Sequence, residues 1–199
     1  MIRRSRIDAQ RPRGALRTTF KAALLPGALL TAASLALPAS AAETVIGTSQ
    51  AERCFNSAVA TSSPHTAADA CTDAIRDEPL GRRDLAATYV NRGILFSRRG
   101  RHEDAYADFT EALEMEPALV HALINRGNTL LRMKRFDEAL ADYESAVFYS
   151  EGRDPLVFFN RSLAYEQLGR KASAREDLVR AVQLEPESRA YREALASLE

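Results

Sequence analysis

Val90-Asn91-Arg92-Gly93 returns as Ile124-Asn125-Arg126-Gly127 and again as Phe159-Asn160-Arg161-Ser162. The step from Gly93 to Gly127 recurs from Gly127 to Ser162 with a single residue added. A second phrase keeps the same period: Ala105, Phe109, Ala112, then Ala139, Tyr143, Ala146, then Ala174, Leu178, Ala181. Members of the second phrase stand three or four residues apart, which places them on one face of a helix. Two helical phrases per unit of about 34 residues describe a helix–turn–helix solenoid, in which stacked neighbours share one core. The predicted fold class is therefore all-α. Such a stack presents a long curved surface, so binding is expected rather than chemistry.

The unit over residues 84–117 shows how each hairpin is specified. Asp84 is expected to cap a helix by accepting a backbone N–H. Leu85, Tyr89, Gly93 and Phe96 then fall on one helical face. Gly100 is expected to end that helix in a left-handed conformation. A second helix is predicted from about His102 to Glu114, with Ala105, Phe109, Ala112 and Leu113 facing inward, and Pro117 stops it. A glycine inside a helix costs about 1 kcal/mol relative to alanine. Its recurrence at one slot therefore points to a close helix crossing.

These residues resemble the tetratricopeptide repeat family. Gly93, Phe96, Ala105, Phe109, Ala112 and Pro117 meet the family pattern in full. Gly127, Leu130, Ala139, Tyr143 and Ala146 meet it in the second unit, where Glu151 replaces the closing proline and one residue is inserted. Asp154-Pro155 then restarts the chain as helix cap and first-turn proline. Ser162, Tyr165, Ala174, Leu178, Ala181 and Pro186 complete the third unit. The resemblance implies a right-handed superhelical solenoid of antiparallel helix pairs, with repeats over 84–119, 120–154 and 155–188. Ala67, Cys71, Ala74 and Pro79 align with Ala105, Phe109, Ala112 and Pro117, so residues 50–83 read as a degenerate first hairpin. Counting back by the family spacing puts Phe55 in its small-residue slot and Cys54 one residue earlier. Residues 187–199, with Ser188 as the cap, read as a C-terminal capping helix that shields the last repeat.

Residues 1–41 are of another kind. Arg3, Arg4, Arg6, Arg11, Arg13, Arg17 and Lys21 precede an apolar run from Ala22 to Leu37, and Ala39-Ser40-Ala41 follows. That is the order of a cleaved secretory signal peptide. A membrane anchor is the alternative, but the run is shorter than the roughly 20 residues that span a bilayer. The expected location is periplasmic or secreted, with 42–49 a flexible mature N-terminus. The whole chain carries 27 basic and 27 acidic residues; without the leader's seven basic and one acidic, 20 stand against 26. A net negative domain is a poor match for nucleic acid.

Cys54 and Cys71 are the two cysteines of the chain. An even count in an exported chain favours a disulfide; two buried thiols and redox chemistry are the alternatives. No zinc spacing accompanies them. In the implied antiparallel hairpin the two would lie at nearly the same height.

First helices line the concave face of this family's superhelix. The residues expected to point inward are Val90, Asn91, Ile94 and Arg98; Ile124, Asn125, Asn128 and Arg132; Phe159, Asn160, Leu163 and Gln167. An Asn side chain donates and accepts together, so a row of three suits the backbone of an extended peptide. The competing role is structural, each amide bonding to a neighbouring repeat. Arg92, Arg126 and Arg161 are expected to cover the helix interface with their stems while their heads reach solvent or an acid. Some family members clamp a C-terminal carboxylate with Lys or Arg one turn from such an Asn. Here Val90, Ile94, Ile124, Asn128, Phe159 and Leu163 stand in those flanking positions, so that mode is not expected.

His65, His102 and His121 fall in three different units, without a partner at metal or nucleophile spacing. The acid pairs Glu103-Asp104 and Asp137-Glu138 begin second helices, where negative charge suits the dipole. No catalytic residue, metal or cofactor is expected. The expected function is protein binding by an adaptor or assembly factor that holds an extended or helical partner segment, with no small-molecule substrate. The alternatives are a self-associating structural protein and a non-catalytic accessory subunit of an envelope enzyme or transporter.

Overall fold

The computed structural model describes residues 49–60 and 67–198. Residues 1–41, expected to form a signal peptide, the stretch 42–48 and His65 lie outside the described residues. Nine helices occupy the described residues: α1 (Ser49–Val59), α2 (Ala67–Asp77), α3 (Arg82–Arg98), α4 (His102–Met115), α5 (Val120–Arg132), α6 (Phe136–Tyr149), α7 (Pro155–Gln167), α8 (Lys171–Leu184) and α9 (Arg189–Ala196). They pair as hairpins α1/α2, α3/α4, α5/α6 and α7/α8, each second helix packs on the next first helix, and α9 packs on α8. First helices also pack on one another, α1 on α3, α3 on α5 and α5 on α7; no second helix packs comparably on its successor. That asymmetry curves the stack with the first helices inside. The result is an all-α solenoid, as the repeat period predicts.

Each hairpin closes where the sequence repeats its small residue. A Cβ added to Gly93 would lie 2.7 Å from Phe109 Cε1, and one on Gly127 would lie 2.6 Å from Tyr143 Cε1. Carbon atoms in contact normally sit about 3.5–4.0 Å apart, so glycine is what lets these helices meet around a fully buried ring. The fourth hairpin, α7/α8, solves the crossing differently. Ser162 takes the glycine slot, Leu178 takes the ring's slot, and the serine hydroxyl donates to the Phe159 carbonyl at 2.7 Å.

The first hairpin replaces the pair with a covalent bond. Cys54 and Cys71 are joined by a disulfide, their Cα atoms 4.7 Å apart, and both are buried. The counted register placed Phe55 at this crossing. Instead Ala51, Cys54 and Ala58 turn inward and Phe55 is only half-buried. The reason is length: the stretch from Cys54 to Ala67 is one residue longer than the stretch from Gly93 to Ala105. That extra residue between the helices shifts the register.

Helix ends follow local chemistry, with two corrections. Helix α3 starts at Arg82 with Gly81 as N-cap, so Asp84 sits in the first turn and does not cap it. Its carboxylate still faces the positive end of the helix dipole. The N-terminus of α1 is capped from afar: the Glu78 carboxylate accepts from Gln50 N at 3.0 Å and Ala51 N at 3.3 Å. No local pattern announces that contact. Asp154 caps α7 by accepting from Leu156 N at 2.9 Å, with Pro155 in the first turn. Ser188 stands at the N-cap of α9 but makes no side-chain cap bond.

The turns inside the repeats need a left-handed residue. Gly100 and Gly169 supply it with φ of 74° and 70°, and Lys134 takes the equivalent place with φ of 60°. That conformation costs a non-glycine residue about 1–2 kcal/mol. Glycine's greater freedom in the unfolded chain offsets about 0.4–1 kcal/mol of any gain. Lys134→Gly should therefore stabilise the protein by roughly 0.5–1 kcal/mol, read as a higher urea midpoint at unchanged slope.

Candidate partner-binding face

The inner side of the stack carries the repeated asparagine at one slot of each first helix. Asn91, Asn125 and Asn160 are 0, 5 and 2 % exposed. Buried amides are normally satisfied within the protein. Among the described residues, however, the Nδ2 atoms of Asn125 and Asn160 have no hydrogen-bond partner. Each carries two N–H donors and has almost no accessible surface of its own. The third such buried atom is Nδ1 of His102, at the start of α4.

The other inward positions divide sharply. Val90, Ile94 and Ile124, expected to offer apolar groove surface, are core residues at 0, 1 and 2 % exposure. They pack in one cluster with Cys54 and Ala58 of α1. The physical reason is crowding at the inner radius, where α1 lies on α3 and α3 on α5. Phe159 is half-buried and meets Tyr191 of α9, ring centroids 5.2 Å apart, so the capping helix already occupies part of it. Arg98 is exposed and donates to the Ala60 carbonyl at 2.9 Å. Asn128, half-buried, accepts from the Tyr143 hydroxyl at 2.7 Å; burial pushes that phenol's pKa up, so it remains a donor. Leu163 is half-buried, while Arg132 and Gln167 are exposed. The accessible face thus runs along α5 and α7 rather than across all three repeats.

The arginine of the repeated phrase reaches an acid, one of its two expected destinations. Arg92 forks onto Asp108 at 2.8 and 2.8 Å, Arg126 onto Asp142 at 2.9 and 2.7 Å, and Arg161 onto Asp177 at 2.7 and 2.7 Å. These are bidentate, charge-assisted pairs. Hydrogen bonding to the carboxylates raises all three guanidinium pKa values. At Asp108, burial outweighs the pull of Arg92 and moves the carboxyl up. Arg126 Nη1 also reaches Thr110 of the preceding hairpin at 3.2 Å, and Arg92 Nη1 reaches Thr72 at 3.2 Å. The ladder therefore fixes both the pairing within a hairpin and the stacking between hairpins. Its signal was present in the chain as Asp108, Asp142 and Asp177, each one residue before the bulky member of the second phrase. Asp142→Ala leaves Arg126, 20 % exposed, without its partner and should cost about 2 kcal/mol. Asp137→Ala removes an exposed pair with Arg170 and should cost under about 1 kcal/mol. Urea denaturation of the two variants checks the contrast.

The side chains of this face offer hydrogen bonding, apolar contact and, at the exposed Arg132, a positive charge. Among the described residues no group of three or more His, Cys, Asp or Glu could hold a metal ion, and no helix is long and apolar enough to cross a membrane.

The pattern of the tetratricopeptide repeat matches residues 86–119, 120–147 and 155–188. No curated protein matches the chain. Several solved structures share its fold. Residues 41 to the end of MamA from Desulfovibrio magneticus RS-1 are 24 % identical, with 74 % of this chain and 78 % of that one covered and a TM-score of 0.62. The second TPR domain of human RPAP3, solved in complex with the HSP70 peptide SGPTIEEVD, is 24 % identical over 59 % of this chain and 98 % of that one, TM-score 0.56. The Arabidopsis OM64 TPR domain is 23 % identical over 60 % and 98 %, TM-score 0.57. At such identities the likeness is one of fold. The repeated phrases, the observed hairpins and the matched pattern agree: this chain carries tetratricopeptide repeats over residues 86–147 and 155–188.

Proposed function

We propose that the chain is a non-catalytic protein-interaction module that holds an extended or helical segment of a protein partner against α5 and α7. The observation that carries this reading is the pair of buried, unpartnered amide donors on Asn125 and Asn160, one repeat apart. Both donors are enclosed, so a peptide carbonyl reaches them only as the side chains covering them swing aside. Recognition through the backbone tolerates many side chains, while Asn128, Arg132, Leu163 and Gln167 stand beside it to select among them. The peptide held by the second RPAP3 domain supports a peptide ligand as a class. The acidic end of that peptide does not transfer, because Asn128 and Leu163 occupy flanking positions where a clamp needs cations.

The chain is further proposed to be exported, as an adaptor or assembly factor of the cell envelope. The basic, apolar and small-residue order of residues 1–41 and the disulfide in the same chain support this, since such bonds persist in oxidising compartments. Panning a random-peptide phage library on the protein tests the binding reading. Selected peptides should bind at least about tenfold more weakly to Asn125→Ala/Asn160→Ala, a loss of about 1.4 kcal/mol, while melting stays within a few degrees. Equal binding by the double variant would remove the asparagines from the site.

A further inference from the structure

The C-terminal end of α6 exposes two adjacent aromatic rings; the other large hydrophobic exposed among the described residues is Val59 at the end of α1. Phe148 is 76 % exposed and Tyr149 42 %, their rings edge to face with centroids 5.2 Å apart. The slot of Phe148 holds Arg76, Glu114 and Gln183 in the other three hairpins. A shallow cleft of about 300 Å³ opens beside Tyr149, walled by Leu113, Glu114, Pro117, Leu123, Ser145 and Arg126, the last with its charge held by Asp142. An exposed aromatic pair beside a cleft is the composition of an interface core.

Charge says what covers it. Helices α4 and α6 contain no Lys or Arg, and Glu111, Glu114 and Glu144 are exposed. None of the three forms an ion pair with a lysine or arginine among the described residues. Helix α8 carries both signs, with Glu176 exposed beside Arg175, but its Lys171 and Arg175 are exposed and carry no ion pair among the described residues. Aromatic faces attract such cations, and the acidic rim adds to the attraction.

We propose that the chain associates head to tail with a second copy of itself, the Phe148–Tyr149 pair and its acidic rim on one molecule taking Lys171 and Arg175 of the next. The two patches differ, so the contact is heterologous and leaves one of each patch free at the ends of any open assembly. This association stands apart from the peptide-binding face on α5 and α7.

Sedimentation velocity of the full chain tests it. Average mass should rise with protein concentration and fall as salt rises from about 0.05 to about 0.5 M. Phe148→Ser should weaken the association at least about tenfold. Glu114→Lys/Glu144→Lys and Lys171→Glu/Arg175→Glu should each be monomeric with unchanged circular dichroism, and their equimolar mixture should associate again. A wild-type chain that stays monomeric overturns the proposal. So does association that survives both charge reversals, or a mixture that fails to restore it.

Discussion

Gly127→Val should destabilise the protein by about 3 kcal/mol, the upper part of the usual range for overpacking a well-filled contact. In a domain of this size that lowers the melting temperature by roughly 6–12 °C. The glycine Cβ position lies 2.6 Å from Cε1 and 2.8 Å from Cζ of Tyr143. The ring has nowhere to go: it is fully buried and its hydroxyl is bonded to Asn128. Either the helices separate or the ring leaves its rotamer. Gly127→Ser alone should be damaging for the same reason, yet Gly127→Ser/Tyr143→Leu should recover most of the loss, because it recreates the Ser162 and Leu178 pair of the α7/α8 hairpin. Thermal melts of the two singles and the double form a double-mutant cycle whose coupling should be favourable. Additive losses would show that the crossing is not what fixes the glycine.

The second large effect is at the other end of the stack. Removing the disulfide by Cys54→Ala/Cys71→Ala should cost about 3 kcal/mol, the chain-entropy value for a closed loop of this length. The first hairpin is a terminal repeat with a neighbour on one side only, and repeat stability is a sum of local and nearest-neighbour contributions. The loss should therefore be local. Amide hydrogen exchange in α1 and α2 should quicken strongly on reduction, while α5 to α8 keep their protection. The α3 face under α1 is the intermediate case, since Cys54 and Ala58 share a cluster with Val90 and Ile94. Loss of protection along the entire stack would instead mean that the hairpins unfold as one unit.

The repeat period made the fold legible because steric demands recur with it. A small residue opposite a ring, an alanine at each crossing and a left-handed turn residue must reappear in every unit, whatever the partner is. Two things resisted reading. The register of the first hairpin depends on loop length, and one added residue moved Cys54 into the slot counted for Phe55. Burial on the inner face depends on how tightly first helices crowd together, which a single repeat does not reveal. Val90, Ile94 and Ile124 share a helical face with the asparagines, yet packing by α1 and the next first helix turns them into core. The Arg–Asp ladder is legible in principle, since both partners recur in step, but the aspartate stands outside the repeated Asn-Arg-Gly phrase and its pairing needs the hairpin geometry. Glu78 capping α1 is a long-range contact of a kind no local pattern encodes.

Peptide binding, as proposed, rests on donation by the side-chain amides of Asn125 and Asn160. Two-dimensional ¹⁵N spectra of the side-chain amides, recorded while a library-selected peptide is added, test it most directly. The NH₂ resonances of Asn125 and Asn160 should shift and saturate with the same dissociation constant as the backbone amides of α5 and α7. Asparagine resonances that stay fixed while saturating shifts appear only on α4, α6 or α8 would contradict it and move the binding face to the outer side of the stack.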